Sequence, residues 1–238
     1  MVHTISAICV TRALKTCDVH MKYQQERPPN PLLTGNTLYR DRTTTANPTF
    51  FTTLALGQSP SILWIGCADS RVPETTVCHC APGDIFVHRN IANTVHVDDV
   101  NAASVVEYAV AHLRVRTVVV CGHTKCGGVG AALGDEVLGG ALDVWLGPVR
   151  RLRRQHETEL DALPDDDARA VRLAELNVRR SVDALREHPA VKKAIAERGL
   201  GLHGLIYDIG AGHLRVIDEE DGKLKNGSHQ SDKKNGRN

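Results

Sequence analysis

Thr117-Val118-Val119-Val120-Cys121-Gly122-His123-Thr124-Lys125-Cys126-Gly127-Gly128 decides how this chain is read. Its first five residues form a continuous apolar run, the mark of a strand covered on both faces. The run then breaks into a short polar turn with two metal-type donors and two glycines. Ile62-Leu63-Trp64-Ile65 repeats the pattern and is followed by Gly66-Cys67-Ala68-Asp69-Ser70-Arg71. Two buried strands therefore end in residues that carry chemistry.

Further elements follow outward from these two. Asp84–Val87, Leu202–Ile209 and Leu214–Ile217 read as strands. Ala102–Leu113, Leu142–Arg154 and Ala168–Leu185 carry helical spacing. Asn47 before Pro48 predicts a helix start, with Phe50, Phe51, Leu54 and Ala55 on its apolar face. Strands alternating with helices imply an α/β fold around a largely parallel sheet. In such sheets ligands gather beyond the carboxyl ends of the strands, where Cys67 and His123 fall.

Cys67, His123 and Cys126 are zinc-type ligands with no obvious fourth. Three protein ligands leave one tetrahedral position for water, the form of a catalytic site, and the ion brings that water to a pKa of about 7. An extended backbone puts Asp69 on the same side as Cys67, and Arg71 is placed to hold its carboxylate by a bidentate pair. Gly127 and Gly128 let the backbone approach the metal or substrate closely.

The chain has 238 residues, enough for one large domain or two small ones, and a net charge of +1 that favours neither nucleic acid nor an anionic membrane. No apolar run approaches the about 20 residues of a membrane span. Seven cysteines, an odd count, fit a reducing compartment better than a secreted disulfide framework. The sequence is divided here into an N-terminal extension over 1–35, a domain over 36–217 and a polar tail over 218–238. The extension is disordered or a targeting segment: its start has Arg12, Lys15 and several hydroxyl residues, weakly resembling a mitochondrial presequence. The expected location is the cytoplasm, with the mitochondrial matrix as alternative. Asn226-Gly227-Ser228 fits a glycosylation pattern but carries little weight in this tail.

Three other motifs are set aside. Cys78-His79-Cys80 is too closely spaced for one tetrahedral zinc. Gly199-x-Gly201-x-x-Gly204 follows a helix and precedes a strand, the reverse of a phosphate-binding turn. Arg150, Arg151, Arg153 and Arg154, followed by Glu157, Glu159 and Asp165–Asp167, predict a solvated helix face.

On Leu63–Pro73, Phe86–Asn93 and Gly122–Gly128, three ordered blocks, the chain resembles the β-class carbonic anhydrases from about Asn36 to Ile217. The resemblance implies four parallel strands with an added antiparallel strand, flanked by helices and built into homodimers or homotetramers. It implies zinc-dependent reversible hydration of carbon dioxide to bicarbonate and a proton, by attack of zinc-bound hydroxide. One ion per subunit would be held by Cys67, His123 and Cys126, and the hydroxide oriented by Asp69 and Arg71. Gln58 matches a glutamine that hydrogen-bonds substrate oxygen. Phe86, Ile91 and Tyr108 match the carbon dioxide pocket, some contributed across a dimer interface, and Gly127 joins them in the substrate-binding set. Trp64, Arg89 and Tyr207 fall where one branch of the family places a regulatory bicarbonate, in which the aspartate leaves its arginine and closes the zinc site. Rival readings are a same-fold hydrolase of carbonyl sulfide or carbon disulfide, a zinc-stapled silent dimer and, least favoured, a thiol redox protein.

Overall fold

The computed structural model describes residues 30–96 and 98–217. The chain forms two compact units that divide between Gln58 and Ser59. Cys9, Cys17, the presequence-like segment and the 218–238 tail lie outside the described residues.

The first unit contains α1 (Pro31–Ala46) and α2 (Phe50–Leu54). The Asn30 side chain caps α1 by accepting from the Leu33 N–H at 3.3 Å, and Pro31 sits in the first turn, where its missing N–H costs nothing. Pro31 thus begins a helix, and α1 runs through the 35/36 boundary. The helix expected at Asn47-Pro48 starts later, at Phe50. The Asn47 N–H bonds back to the Thr43 carbonyl and closes α1, while its side chain accepts from the Thr49 N–H at 3.2 Å. Phe51 packs edge-on to Phe50 and Tyr39.

The second unit is a five-stranded sheet with helices along its length. In chain order it holds β1 (Ile62–Cys67), α3 (Glu74–Val77), β2 (Ile85–Asn90), α4 (Val100–Glu107, continued by a π turn to His112), β3 (Thr117–His123) and α5 (Gly127–Leu133). Then come α6 (Gly140–Gln155), α7 (Glu157–Asp161), α8 (Asp166–Glu187), α9 (Pro189–Arg198), β4 (Gly201–Asp208) and β5 (His213–Val216). The strand order is β2-β1-β3-β4-β5, with β5 alone antiparallel. This is the mixed sheet that the resemblance implies.

Alternation along the strands separates two cores. Leu63, Ile65, Val118, Val120, Leu202 and Ile206 pack with Leu146, Val149, Leu173, Val178, Val182 and Leu185. On the opposite face Trp64, Val119 and Cys121 form a smaller cluster with Ile85, Cys78, Leu205, Tyr207 and Leu214. The Trp64 indole folds over Gly66: a Cβ there would lie 2.3 Å from Trp64 Nε1, so only glycine fits. Register then fixes the site, because Cys67 lies opposite Asn90 and His123 opposite Tyr207, with β1 and β3 adjacent.

The arginine run departs from a purely solvated face. Arg150 pairs with Asp143 and donates to the Glu136 carbonyl, while Arg153 donates to the Leu133 carbonyl and pairs with Asp135. These two grip the turn after α5, whose carbonyls have no helical partner. Gly199, at φ +64, closes α9 as a left-handed cap, in accord with the rejection of a phosphate-binding turn.

Candidate metal centre

Cys67 ends β1, His123 ends β3, and Cys126 caps α5. All three are buried, and their donor atoms lie within 4.8 Å of one another. Among the described residues they are the only such convergence of three His, Cys, Asp or Glu donors. The two sulfurs are 3.9 Å apart. Sulfurs about 2.3 Å from a tetrahedral zinc would stand about 3.8 Å apart.

His123 Nδ1 donates to the Thr124 carbonyl at 2.9 Å, which leaves the lone pair on Nε2. Nε2 is buried without a hydrogen-bond partner. A buried orphan of this kind needs an explanation, and a metal ion supplies one. Two thiols and one oriented imidazole fit a zinc ion with one open position.

The electrostatics agree. The Cys126 thiol hydrogen-bonds Cys67 and, against the effect of burial, helps pull it down to about 4. His123 and the backbone N–H groups of Asp69 and Ala92 assist. Cys126 is pushed up in turn, because its proton is shared with the neighbouring sulfur. Burial lowers His123, but the adjacent Cys67 thiolate, with the Thr124 carbonyl and the Asp69 carboxylate, raises it overall. The pocket therefore favours negative charge on sulfur, which a bound cation would extend to both thiols.

Arg71 holds Asp69 bidentately, Nε to Oδ1 at 2.9 Å and Nη2 to Oδ2 at 2.7 Å, and its own N–H donates to Oδ1 at 2.9 Å. These bonds hold the Asp69 carboxyl well below the usual carboxylate range. Asp69 Oδ2 lies 3.9 Å from His123 Nε2, at the edge of the metal position. Arg71 Nη2 also donates to the Lys125 carbonyl. Lys125, between the two later ligands, adopts φ +58, a conformation uncommon outside glycine.

Arg89 acts on the same loop from β2. Its Nε donates to the Cys67 carbonyl at 2.8 Å, its Nη2 to the Asp69 carbonyl, and Nη1 lies 3.9 Å from Glu74. Trp64, Arg89 and Tyr207 alternate to one face of the sheet, with Trp64 and Tyr207 in the smaller core.

Phe86 and Tyr108 meet with ring centroids 5.8 Å apart. Ile91 crowds Gly128, where an added Cβ would lie 2.8 Å from Ile91 Cγ2, and Trp145 Nε1 donates to the Ile91 carbonyl. Tyr108 and Ile91 remain 47% and 42% exposed, and Phe86, opposite Leu63, lies toward the other end of β2 from Asn90 and the Cys67 pairing. Gly127 opens α5 with free space around it. Gln58 belongs to the first unit. Cys78 packs against the Trp64 cluster, and burial pushes its thiol up to about 11, in keeping with a packing role.

Sequence reasoning missed the loop Ile91–Asn93 and its supports. Ala92 and Asn93 both have positive φ, and α8 side chains hold their carbonyls. The one sequence signal is that Asn177 and Ser181, four residues apart, interrupt the apolar face of α8.

A mostly parallel α/β sheet carrying an open Cys-His-Cys centre at its carboxyl edge defines a class of metalloprotein, and comparison makes the class specific. The family model for carbonic anhydrase matches residues 62–214. The carbonic anhydrase of Emericella nidulans is 47% identical over 174 residues, covering 73% of this chain and 76% of that protein. That of Candida albicans is 43% identical over 163 residues, 68% of this chain, and the match spans 58% of its length. A tetrameric β-carbonic anhydrase of Sordaria macrospora superposes with a TM-score of 0.77 at 50% identity, covering 78% of this chain and 94% of that one. The chain belongs to the carbonic anhydrase family, in its β class.

Proposed function

We propose that this protein catalyses the reversible hydration of carbon dioxide to bicarbonate and a proton, with one zinc ion per subunit on Cys67, His123 and Cys126. The observation that carries the reading is the three-donor centre with an orphaned Nε2 and an ionised, arginine-held carboxylate 3.9 Å away. The ion, when bound, supplies Lewis acidity that makes water a nucleophile near neutral pH.

The remaining roles fall to the chain. Asp69, ionised and acceptor-only, would accept a hydrogen bond from the nucleophile and so turn its lone pair toward the substrate carbon. Arg71 fixes that carboxylate in one orientation. Phe86, Ile91 and Tyr108 provide an apolar wall for an uncharged gas, and Gly127 leaves room beside the third ligand. The exposure of Ile91 and Tyr108 supports a homodimer or homotetramer that covers them, and the Sordaria relative is a tetramer. Trp64, Arg89 and Tyr207 form a regulatory bicarbonate site. An anion drawing Arg89 off the Cys67 and Asp69 carbonyls would loosen the Asp69 loop. The working location is the cytoplasm, with the mitochondrial matrix as alternative.

Zinc analysis with stopped-flow carbon dioxide hydration, on wild type and Asp69→Asn, tests the function. Stoichiometric zinc with activity lost in the variant is expected. Activity that survives zinc removal, or faster turnover of carbonyl sulfide than of carbon dioxide, would sink it. For the regulatory site, inhibition by added bicarbonate should deepen at lower pH and vanish in Trp64→Val. Simple competition, unchanged by that substitution, would count against it.

A further inference from the structure

A cleft of about 240 Å³ lies where α4, the segment after β2 and the end of α8 meet. None of Cys67, His123 and Cys126 lines it. Its walls are mostly apolar: α4 contributes Ala102, Ala103 and Val106, and α8 contributes Ala184 and Leu185. Three alanines, where larger apolar side chains would fill the space, keep the cleft open. A cavity of about 150 Å³ already admits benzene, so a six-membered ring with a polar head fits this one.

The polar groups of the cleft share one character. Glu187 is the one lining residue with a formal charge, and no lysine or arginine is among them. Ala184, Leu185 and Glu187 belong to the last turn of α8, which His188 caps, so the cleft meets the carbonyl end of that helix and the negative end of its dipole. His96 and His188 complete the polar lining. Burial lowers both below the ordinary histidine value, helped at His96 by Arg180 and Arg151, so neither brings positive charge near pH 7. His96 Nε2 and His188 Nδ1 are each buried without a hydrogen-bond partner. Arg180 stays outside the lining, its Nη groups donating to the Val95 carbonyl and to Asn177 Oδ1.

Glu187 already takes an ammonium. Lys192 Nζ lies 3.1 Å from its Oε2, with the two side chains 69% and 70% exposed. An ion pair so open to water adds little to stability and exchanges readily. A second ammonium, brought by a ligand whose body fills the apolar walls, can take the place of the first.

We propose that this cleft binds a small organic ammonium ion, with a compact aliphatic body against Ala102, Ala103, Val106, Ala184 and Leu185 and its head group on the Glu187 carboxylate in place of Lys192. The same groups disfavour an anion. The inference asks nothing of the metal centre or of its substrate.

The test is a titration of the full-length protein with cyclohexylammonium chloride at constant ionic strength and neutral pH. It is read by alanine methyl NMR signals, of which those of Ala102, Ala103 and Ala184 report on the cleft. Saturable shifts of these three methyls are expected. Cyclohexanol keeps the ring but not the charge and should bind about 5-fold more weakly, while cyclohexanecarboxylate should give no saturable shift. Glu187→Gln should weaken the ammonium about 3-fold, and Lys192→Met, which frees the carboxylate, should tighten it about 2-fold. Ala103→Leu fills the cleft and should abolish binding; Ala184→Leu does so from the α8 wall should the first variant fail to fold. No saturable shift, equal affinity for the alcohol, or binding that survives the filling substitutions would overturn the proposal. So would an affinity unchanged in both Glu187→Gln and Lys192→Met.

Discussion

Arg71 Nη2 donates to the Lys125 carbonyl at 3.0 Å, so the arginine that holds Asp69 also ties the first ligand block to the second. The guanidinium is planar with several fixed donors and can satisfy both partners at once, which an ammonium cannot. Arg71→Gln is expected to lower kcat/KM about 10- to 100-fold, in the range typical of groups that orient a metal site, while zinc content stays near one per subunit. Stopped-flow hydration with metal analysis reads both. Equal loss of zinc and activity would mean that Arg71 holds the metal rather than the carboxylate.

Gly66 and Gly122 both sit near the ligands, yet they should respond differently to a methyl group. A Cβ on Gly66 meets the buried indole of Trp64 at 2.3 Å, whereas one on Gly122 meets terminal methyls of Ile206 and Val178 at 2.9 Å. Gly66→Ala should destabilise by about 3 kcal/mol, at the upper end for overpacking, and Gly122→Ala by about 1 kcal/mol. Urea unfolding curves give the ranking, and Gly66→Ala combined with Trp64→Leu should recover most of the loss.

Burial lowers His88, His96 and His188 below the ordinary histidine value. Arg180 and Arg151 add to the shift at His96, while Asp99 opposes it there and at His88, and Glu107 opposes it at His188. At these three positions the unfolded chain therefore binds more protons than the folded one once pH falls below about 6.5, while His123, raised in the fold, acts in the opposite sense. Stability should be full above that point and decline as pH drops toward the lowered folded values. The urea midpoint at pH 5.5 should lie below that at pH 7.5, and His188→Gln should flatten part of the slope.

Chelation should lower the melting temperature without abolishing the fold, since both hydrophobic clusters extend well beyond the ligands. Binding stabilises by about 4 kcal/mol when free zinc is about a thousand times its Kd. Circular dichroism melts with and without chelator measure this. A chain that loses its secondary structure on chelation would show the centre to be a folding staple instead.

Much of this arrangement was legible in the sequence because it is local. Apolar runs at Ile62–Ile65 and Thr117–Cys121 announce buried strands, and the ligands follow each at once. Alternation then sends Trp64 to the face opposite Leu63 and Ile65, whereas the order of the strands is known only from the structure. What escaped has no local periodicity. Asn177 reaches a carbonyl 85 residues away, and Arg150 and Arg153 meet carbonyls of a turn together with Asp143 and Asp135, acids that precede the run rather than follow it. Left-handed backbone at Lys125 and Ala92 is also invisible, because neither residue is of the type that favours it.

The two sulfurs that share a proton are 59 residues apart along the chain, one at the end of β1 and the other on the turn after β3, its parallel neighbour. An unfolded chain must close that long loop before both can reach one ion, and non-local parallel pairing is slow to form. Capture of metal is thus a late event in the life of a newly made molecule. Loading with zinc would certify that the central β1–β3 pairing has already formed.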